Sequence, residues 1–369
     1  MYIKSISFAK ESSDGISWEI DDCYFNKINL IAGKNASGKT RTLSALTMLI
    51  KLILGDDITE NNYRWKLILI NENRRFIYKL KIGNSQILAE SLYINDEKYF
   101  SRDENGQGTI KYETKDIFKL DFEVDIKEIL LGNKRDKKQH PSLEPIFNWA
   151  NSIYQFKFGD DLGRKTLYNA NRNLYENQKS SSDKAVVYKF DNGLKSFSDD
   201  FKNKIIQSFN ALGYNIEDIL LVEISSNNFI LAIKENGMQL EQGYLSQGMF
   251  RALSLIIQVT YLEFQSDNNI TILIDDIGEG LDFERANNLI KYLIQKAEKE
   301  QDKMQLIMTT NDRMVMNNVP LEYWIIVDKD DNGKINFYSE KSHLKIFKKF
   351  KRIGLTNFDF FSSEYYKEN

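Results

Sequence analysis

The sequence predicts an α/β protein with a mixed or parallel sheet as its core, an antiparallel β lobe and a helical insertion. Three observations lead to this fold class. Short apolar strands alternate with helices through the last third of the chain, which indicates a parallel sheet covered on both faces. A glycine-rich loop lies between an N-terminal apolar strand and an amphipathic helix. Strand-like runs separated by short polar turns fill residues 63–100.

The composition is that of an ordinary globular protein, because 42% of the 369 residues are hydrophobic and 28% are charged. The net charge of −3 gives no overall attraction for nucleic acid, so a DNA contact would need a local basic patch. One cysteine and two histidines exclude a disulfide framework and nearly exclude a Cys or His metal site. The N-terminus lacks a signal peptide, and no apolar run is long enough to span a bilayer. We therefore expect a cytoplasmic protein that makes no membrane contact.

The first hundred residues are predicted to form strands around one helix. The helix follows the glycine loop, because Leu43, Leu46, Ile50 and Ile53 recur at helical spacing, and Gly55 is its expected end. The predicted strands are Tyr2–Phe8, Ile16–Ile20, Lys27–Ala32, Tyr63–Ile70, Arg75–Ile82 and Ile87–Ile94.

The later elements are more regular. Predicted helices cover Phe197–Leu212, Ser246–Phe264 and Phe283–Lys299, and predicted strands cover Ile219–Ile224, Phe229–Lys234, Ile270–Ile274, Gln305–Thr309, Tyr323–Val327 and Ile335–Tyr338. We expect a single domain over residues 1–369, with lobe I at about 1–110 and a helical or mixed insertion at about 111–215. Lobe II then covers about 216–340, and a basic helix and tail cover 341–369.

The loop from Gly33 to Thr40 has the pattern of a Walker A phosphate loop and stands in the required strand-to-helix context. Its glycines let backbone N–H groups turn towards phosphate oxygens, and the helix N-terminus adds partial positive charge. Lys39 is predicted to reach the β- and γ-phosphates of ATP, and the Thr40 hydroxyl to bind Mg²⁺. The predicted ATP-binding residues of this segment are Gly33, Lys34, Asn35, Ala36, Ser37, Gly38, Lys39, Thr40 and Arg41.

Two carboxylates, Asp275 and Asp276, end the apolar strand Ile270–Ile274, as in a Walker B strand. The first would hold Mg²⁺, and the second would lie near the attacking water. The continuation Asp275–Asp282, DDIGEGLD, resembles in spacing the D-E-P-x-x-x-L-D run of ABC-type ATPases, including the Leu-Asp of their D-loop.

Upstream, the run LSQGM at 245–249 opens a helix and resembles the ABC signature L-S-G-G-Q. Ser246 is the expected N-cap, and Gly248 permits a close approach. The resemblance implies that Ser246 and Gly248 meet the γ-phosphate of ATP bound by a second subunit, so that two copies close over two ATP molecules.

The sequence departs from the family at two positions. Asn311 stands where the family usually has its switch histidine, and it can donate a hydrogen bond to phosphate but cannot titrate. Asp276 stands in place of the catalytic glutamate, so Glu279 is an alternative base. Both departures leave nucleotide binding expected and the hydrolysis rate open.

Other candidates carry weaker signals. Gln155 is a possible Q-loop ligand of Mg²⁺, or else an exposed strand glutamine, and Arg172 is a possible phosphate contact, or else a surface arginine. The segment Lys341–Arg352 is predicted to be a basic helix with an apolar stripe of Leu344, Phe347 and Ile353, suited to DNA or to an acidic partner, or else simply solvated. The aromatic tail Phe358–Tyr366 is a possible docking strip for a partner.

The motifs resemble most closely the SMC, Rad50 and RecF side of the ABC class, in part because of Asn35 in the phosphate loop. Residues 56–240 lack heptad repeats, and the chain after Asn311 is too short for a Toprim domain. The chain therefore resembles the compact AAA15/AAA21 ("AAA family ATPase") proteins, many of which occur in prokaryotic anti-phage systems beside a separate effector.

This resemblance implies an ATP- and Mg²⁺-dependent dimer switch, either as a homodimer or as a higher homo-oligomer, that controls an effector such as a nuclease or toxin. Two alternatives stay open. One is an ATP sensor or scaffold with slow or no hydrolysis, and the other is a RecF-like repair ATPase that binds DNA.

Overall fold

The computed structural model describes residues 1–12, 15–58, 61–113, 117–133, 138–170, 183–265, 269–299, 303–330 and 334–367, with backbone only at 12, 15, 16, 117 and 118. The chain divides into two compact units. Unit 1 comprises Met1–Asn29, Gly33–Ser152 and Ile325–Tyr338, and unit 2 comprises Leu30–Ala32, Ile153–Trp324 and Ser339–Asn369.

The chain contains strands in both units and helices concentrated after residue 129. The strands are β1 Tyr2–Ser12, β2 Gly15–Tyr24, β3 Ile28–Ala32, β4 Asn62–Asn71, β5 Arg74–Gly83, β6 Gln86–Ile94, β7 Glu97–Arg102, β8 Gln107–Glu113, β9 Ile117–Glu123, β10 Ile153–Lys157, β11 Tyr168–Asn169, β12 Asp218–Ser225, β13 Asn228–Glu235, β14 Met238–Glu241, β15 Ile270–Asp275, β16 Met304–Thr310, β17 Trp324–Lys329 and β18 Ile335–Ser339. The described helices are α1 Lys39–Ile53, α2 Leu130–Asn133, α3 Glu144–Asn151, α4 Val186–Asn210, α5 Gln247–Gln265, α6 Phe283–Lys299, α7 Arg313–Asn318, α8 Leu344–Phe350 and α9 Asn357–Ser362.

Unit 1 is built on a long sheet in the order β17-β18-β2-β1-β4-β5-β6-β7-β8-β9. From β1 to β9 each strand pairs antiparallel with its neighbour in this order, whereas β18 pairs parallel with β2. The inward face of β4 and β5 alternates as expected for a half-buried sheet, with Trp65, Leu67, Leu69, Phe76, Tyr78 and Leu80 buried. The predicted antiparallel strands are confirmed, and they continue as far as Glu123, beyond residue 110.

Unit 2 contains the predicted parallel strands in the order β10-β15-β16-β3. The pairs β10/β15 and β15/β16 are parallel, and every residue of β15 and β16 is buried. Because parallel strands end at the same edge, Lys157 of β10 pairs with Asp275 at the end of β15. This edge is where parallel α/β sheets bind ligands. A second, antiparallel sheet joins β11, β13, β12 and β14.

Helix α5 is a core helix, because its residues Phe250–Leu262 are all buried. Among the buried polar residues of this stretch, Arg251, Ser254 and Gln258 follow each other at helical spacing, and we call this row the α5 seam. Ser254 Oγ donates to the backbone oxygen of Leu162 at 2.9 Å, and Gln258 Nε2 donates to that of Asp183 at 2.8 Å. The α5 seam thus binds the backbone of unit 2. None of the described helices, α5 included, is long and apolar enough to cross a membrane.

Helix α4 differs from the predicted helix Phe197–Leu212, because it begins eleven residues earlier, at Val186. Ser198 interrupts it with φ 55° and ψ −145°, so two helical pieces meet there. The first piece contains Asp191, Asn192 and Gly193, a run that favours a turn. Gly193 is required because a Cβ there would lie 2.3 Å from the ring of Phe201, and this packing between the pieces is invisible in the local pattern.

The C-terminal segment corrects two predictions. Helix α8 is shorter than Lys341–Arg352, and its buried residues are Phe347 and Phe350, whereas Leu344 and Ile353 are each 47% exposed. The predicted apolar stripe is therefore wrong at Leu344 and Ile353. In the tail Phe358–Tyr366, three of the aromatic residues pack within the chain and so are not presented to a partner. Phe360, Phe361 and Tyr366 are buried, with Phe360 contacting the rings of Phe347 and Phe350 at 4.7 Å between centroids.

A buried lysine lies beside the α5 seam. Lys189 of α4 is fully buried, and its ammonium donates to Gln258 Oε1 at 2.6 Å. It also lies 5.9 Å from the ring centroids of Tyr154 and Phe156 on β10. Burial lowers the pKa of Lys189 to about 7, against the opposing effect of the Asp183 charge.

We expect this lysine to make the stability of the chain depend on pH. Between about pH 7 and the ordinary lysine pKa of 10.5, the unfolded chain holds a proton that the folded chain has lost. The free energy of unfolding should therefore rise with pH in this window. Urea unfolding of Lys189→Met should lack that rise, whereas Lys204→Met, at an exposed position of the same helix, should keep it. Parallel profiles for wild type and Lys189→Met would contradict the assignment.

Candidate functional site

The phosphate loop begins directly after β3 and ends in the first turn of α1. The side chain of Lys39 is buried and folds back over the loop, donating to the backbone oxygens of Gly33 at 2.8 Å and Lys34 at 3.0 Å. A turn closes the loop, because the Ser37 N–H donates to Lys34 O at 3.2 Å. The loop thus wraps around the lysine ammonium.

Both loop glycines are required by geometry. A Cβ on Gly33 would lie 2.4 Å from Ser37 Oγ and 2.7 Å from the backbone oxygen of Val327. Gly38 has φ +112°, and a Cβ there would lie 2.7 Å from Ile335 Cδ1. Both positions therefore exclude any side chain, as the motif predicts.

The donors of the loop fit a phosphate group. Ser37 Oγ is buried, and among the described residues no hydrogen-bond partner lies within its reach. Helix α1 is 15 residues long and has no side-chain cap at Gly38, so its first N–H groups and its positive end are directed into the loop. A buried hydroxyl, a buried ammonium and a helix N-terminus together suit a polyphosphate anion. Lys34, Asn35, Ala36, Thr40 and Arg41 are exposed around them.

A cavity of about 360 Å³ adjoins the start of α1 in unit 1. Arg41 lies over the Trp18 ring, 5.8 Å from its centroid, at one wall of this cavity. The other lining residues are Phe8, Lys10, Ser17, Ser44, Met48 and Tyr63. Sequence reasoning missed Trp18, because an aromatic residue in a strand is indistinguishable from a core residue before the strands are paired.

In unit 2, Thr309 at the end of β16 holds the end of the Walker B strand. Its hydroxyl donates to Asp275 Oδ1 at 2.5 Å and accepts from the Asp276 N–H at 2.9 Å. The backbone of Thr309 adds a third contact, since its oxygen accepts from Ile277 N at 2.9 Å. The carboxylate of Asp275 is therefore buried and oriented.

Asp276 has a left-handed backbone with φ +54°, which costs a non-glycine residue about 1 kcal/mol or more. Its side chain is half-buried, and the Glu279 side chain is exposed on the same loop. The Glu279 carboxylate lies against Gly159, where an added Cβ would be 2.5 Å from Glu279 Oε2. Backbone strain of this kind persists where the surroundings enforce it and is frequent at functional sites.

The run LSQGM at 245–249, which we call the signature segment for its resemblance to the ABC signature, opens α5 as predicted. Ser246 is exposed, and its Oγ accepts from the Met249 N–H at 3.2 Å, as an N-cap does. Gly248 is buried, and a Cβ there would lie 2.1 Å from the backbone oxygen of Gly280. The absence of a side chain at Gly248 therefore serves packing against Gly280 of the same chain.

Arg251 joins two loops of unit 2 that carry candidate residues, and sequence reasoning did not identify it. Its Nε donates to Asp160 O at 2.9 Å, its Nη1 to Glu279 O at 3.1 Å, and its Nη2 to Gly159 O. One guanidinium thus fastens the segment after β10 and the segment after β15 to α5. The available signal was that Arg251 is the only charged residue between Met249 and Leu262.

The remaining candidates of unit 2 lie at the same sheet edge. Gln155 is half-buried on β10 and pairs with Leu273, two positions before Asp275. Asn311 is exposed directly after β16, and the neighbouring Asp312 caps α7 by accepting from Met314 N at 2.6 Å. Arg172 lies outside the described residues. In the described part of the chain, no group of three or more His, Cys, Asp or Glu side chains could hold a metal ion.

These elements define the class of fold: the chain has an α/β fold like that of SMC head domains, with mixed sheet pairing. One similar structure is an SMC head bound to the C-winged helix domain of ScpA, with 14% identity and a TM-score of 0.57, covering 94% of this chain and 100% of that chain. Another is an SMC head with an extended coiled coil bound to the C-terminal domain of ScpA derived from Pyrococcus furiosus, with 13% identity, a TM-score of 0.51 and coverages of 95% and 99%. No family model and no curated protein matches the chain.

The contact of Gly248 with Gly280 generates a first prediction for this region. Gly248→Ala should destabilise the chain by about 1–3 kcal/mol, because backbone cannot yield to the new Cβ as a flexible side chain would. Gly243→Ala is the matched control, since nothing lies within 4 Å of a Cβ there, and it should change the unfolding free energy by less than about 0.5 kcal/mol. Equal urea midpoints for the two variants would contradict the close approach.

The three carbonyl contacts of Arg251 generate a second prediction. Arg251→Lys should lower the unfolding free energy by about 2 kcal/mol or more. The planar guanidinium of arginine donates to the three carbonyl oxygens from three different nitrogens, and a single lysine ammonium cannot reach all three. Arg75→Lys is the control, since Arg75 forms an exposed surface pair with Asp96, and this change should be nearly neutral. A neutral Arg251→Lys would show that the carbonyls are satisfied without the guanidinium.

Proposed function

We propose that the chain is an ATPase of the ABC type that binds ATP through the loop Gly33–Thr40. The observation that carries the proposal is the loop itself: the Lys39 ammonium is buried inside it, next to the orphaned Ser37 hydroxyl and the N-terminus of α1. Lys39 would exchange its two backbone acceptors for β- and γ-phosphate oxygens, and this exchange costs little because the ammonium is already desolvated.

The metal-binding roles follow from the donor types. Mg²⁺ prefers oxygen ligands and is commonly held by one or two protein groups together with substrate phosphates. We assign Thr40 and Asp275 to it, with Gln155 as a further ligand, and bound Mg²⁺ would neutralise charge on the phosphates. The hydrogen bond from Thr309 orients the carboxylate of Asp275 for this role.

Hydrolysis requires a carboxylate near the attacking water. Water adds to the γ-phosphorus, the bond to the β–γ bridging oxygen breaks, and ADP and phosphate result. Asp276 is our first choice as the residue that orients this water, because its backbone is held in a strained conformation by the Thr309 hydroxyl. Glu279, exposed on the same loop, is the alternative.

The signature segment supports a dimer in which each ATP is bound by two copies. Ser246 is exposed at the start of a 19-residue helix whose N-terminus carries partial positive charge. We propose that Ser246 and Gly248 of one copy meet the γ-phosphate held by the other, with Asn311 as an uncharged phosphate contact. ATP binding would close the dimer, and hydrolysis would open it.

A slower switch is the second candidate, and two residues favour it. Asn311 cannot titrate as a switch histidine would, and Asp276 is one methylene shorter than glutamate. In this version the closed dimer persists and acts as a sensor or scaffold.

We further propose, from the motif resemblance to AAA15/AAA21 proteins, that the switch controls a separate effector in anti-phage defence. The two SMC heads described above, each solved with a bound ScpA domain, offer a parallel for a separate protein partner. A nuclease or toxin gene beside this one would support that role, and replication genes would contradict it.

A role on DNA has one local observation in its favour. Residues 341–355 contain six lysines and arginines and no acidic residue, and all six are exposed. Lys351 is paired with Glu322 and Glu340, which reduces the charge available to a partner. This strip is the place where a RecF-like contact with the phosphate backbone would be made.

The proposal predicts distinct defects for two variants. Lys39→Ala should lose most ATP affinity, because it removes the buried cation of the loop, whereas Asp276→Asn should keep ATP affinity and lose about 100-fold or more in turnover. Binding is measured with a fluorescent ATP analogue and turnover by phosphate release, each with and without duplex DNA. Lys51→Ala, at an exposed position in the last turn of α1 and outside the loop, is the matched control for Lys39→Ala.

The outcomes separate the candidates. Unchanged ATP binding in Lys39→Ala would overturn the ATP site. Binding without turnover above the Asp276→Asn level would select the sensor over the ATPase. DNA stimulation that disappears when Lys345, Lys348 and Arg352 are changed to alanine would favour the RecF-like role.

A further inference from the structure

One aromatic side chain of unit 2 stands in solvent beside the signature segment. Tyr244 is 81% exposed and lies two residues before Ser246. Its exposure is the highest among the described large hydrophobic residues. A single exposed apolar residue is ordinary on a protein surface, so exposure alone assigns no role.

The backbone below Tyr244 is held rigidly. Arg164 donates to the backbone oxygens of Gln242 at 3.4 Å and Gly243 at 2.7 Å. In return, the buried side-chain amide of Gln242 donates to the backbone oxygens of Arg164 at 3.0 Å and Thr166 at 3.1 Å. The ring of Tyr244 therefore projects from a fixed backbone, which lowers the entropy that it would lose on binding.

Exposed apolar side chains also follow the other motifs of unit 2. Phe283, 55% exposed, comes directly after the D-loop run, and Met314, 46% exposed, comes three residues after Asn311. The signature segment, the D-loop run and Asn311 thus each have an exposed apolar side chain within three residues. Large aromatic residues on rigid segments are typical of contacts that carry much of a binding energy.

We propose that the ring of Tyr244 stacks on the nucleobase of the ATP held by a second copy of the chain. The inference rests on the proposed function, in which Ser246 meets the γ-phosphate of that ATP. Tyr244 lies in the turn two positions before Ser246, so at most about 7 Å of chain separates the two residues and the ring can lie alongside the same nucleotide. A flat aromatic ring binds a base face without requiring hydrogen bonds. The signature segment would then recognise both ends of the nucleotide.

A photolabelling experiment on mixed copies tests the contact directly. Both copies carry Asp276→Asn to keep the dimer closed, and one copy also carries Lys39→Ala and a tag, so that it holds no nucleotide of its own. The mixture is irradiated with 8-azido-ATP, and the copies are separated and digested. We expect label on the Tyr244 peptide of the Lys39→Ala copy. Label confined to the copy that binds the nucleotide would overturn the proposal.

Dimer affinity gives a second measure. In the Asp276→Asn background, Tyr244→Ala should weaken ATP-dependent dimerisation by about tenfold or more in sedimentation experiments, and Tyr244→Phe should retain it. Met238→Ala, at another exposed hydrophobic position of unit 2, is the matched control. Weaker dimerisation without label on the Tyr244 peptide would mean that the ring packs on protein and would overturn the base contact.

The failure of each proposal can be told apart. If Asp276→Asn protein forms no dimer with ATP, the dimer switch is wrong, and the Tyr244 contact falls with it. If that dimer forms and Tyr244→Ala dimerises as well as Tyr244→Phe, only the Tyr244 contact is wrong.

Discussion

The candidate site of unit 2 depends on the α5 seam, the row of polar side chains along a buried helix. Arg251 and Ser254 of α5 satisfy backbone oxygens of the segment Gly159–Leu162, and Arg251 also binds the oxygen of Glu279. A buried guanidinium left without partners would be very costly, so these loops must keep their positions for the helix to stay buried. Two loops that the fold leaves irregular are thereby fixed to one rigid element.

In this arrangement, the contacts that hold the loops in place are distinct from the side chains that we propose for the reaction. Arg251 and Ser254 position the loops through backbone oxygens and make no use of the side chains of Asp276 and Glu279. Thr309 acts similarly at the end of β15, where one hydroxyl orients the carboxylate of Asp275 and the backbone of Asp276 together. A site held within small tolerances by such supporting contacts is what phosphoryl transfer requires, because its catalysis is mostly positioning and electrostatics.

The candidate residues of unit 1 and those of unit 2 differ in how the sequence encodes them. The phosphate loop is local: Gly33, Gly38 and Lys39 are needed at fixed offsets, and the lysine is satisfied by carbonyls five and six positions away. The carboxylate end of β15 is not local, since Thr309 lies 34 residues from Asp275 and Gly159 more than a hundred residues before it. A local sequence pattern therefore predicts the phosphate loop, whose contacts lie within a few residues, but it cannot predict contacts between residues that are far apart in sequence.

The sequence by itself determined the α/β class, the antiparallel strands, the Walker loop, the paired carboxylates and the helix that Ser246 caps, because each has a short-range periodicity or spacing. Only the tertiary structure decided the role of Arg251, the break at Ser198 and the burial of the C-terminal aromatic residues. The physical reason is the same in all three cases. Gly193 beside Phe201, Arg251 beside Gly159, and Phe360 beside Phe347 are contacts made across turns and elements. Such contacts arise from packing, and packing is settled only when distant segments meet.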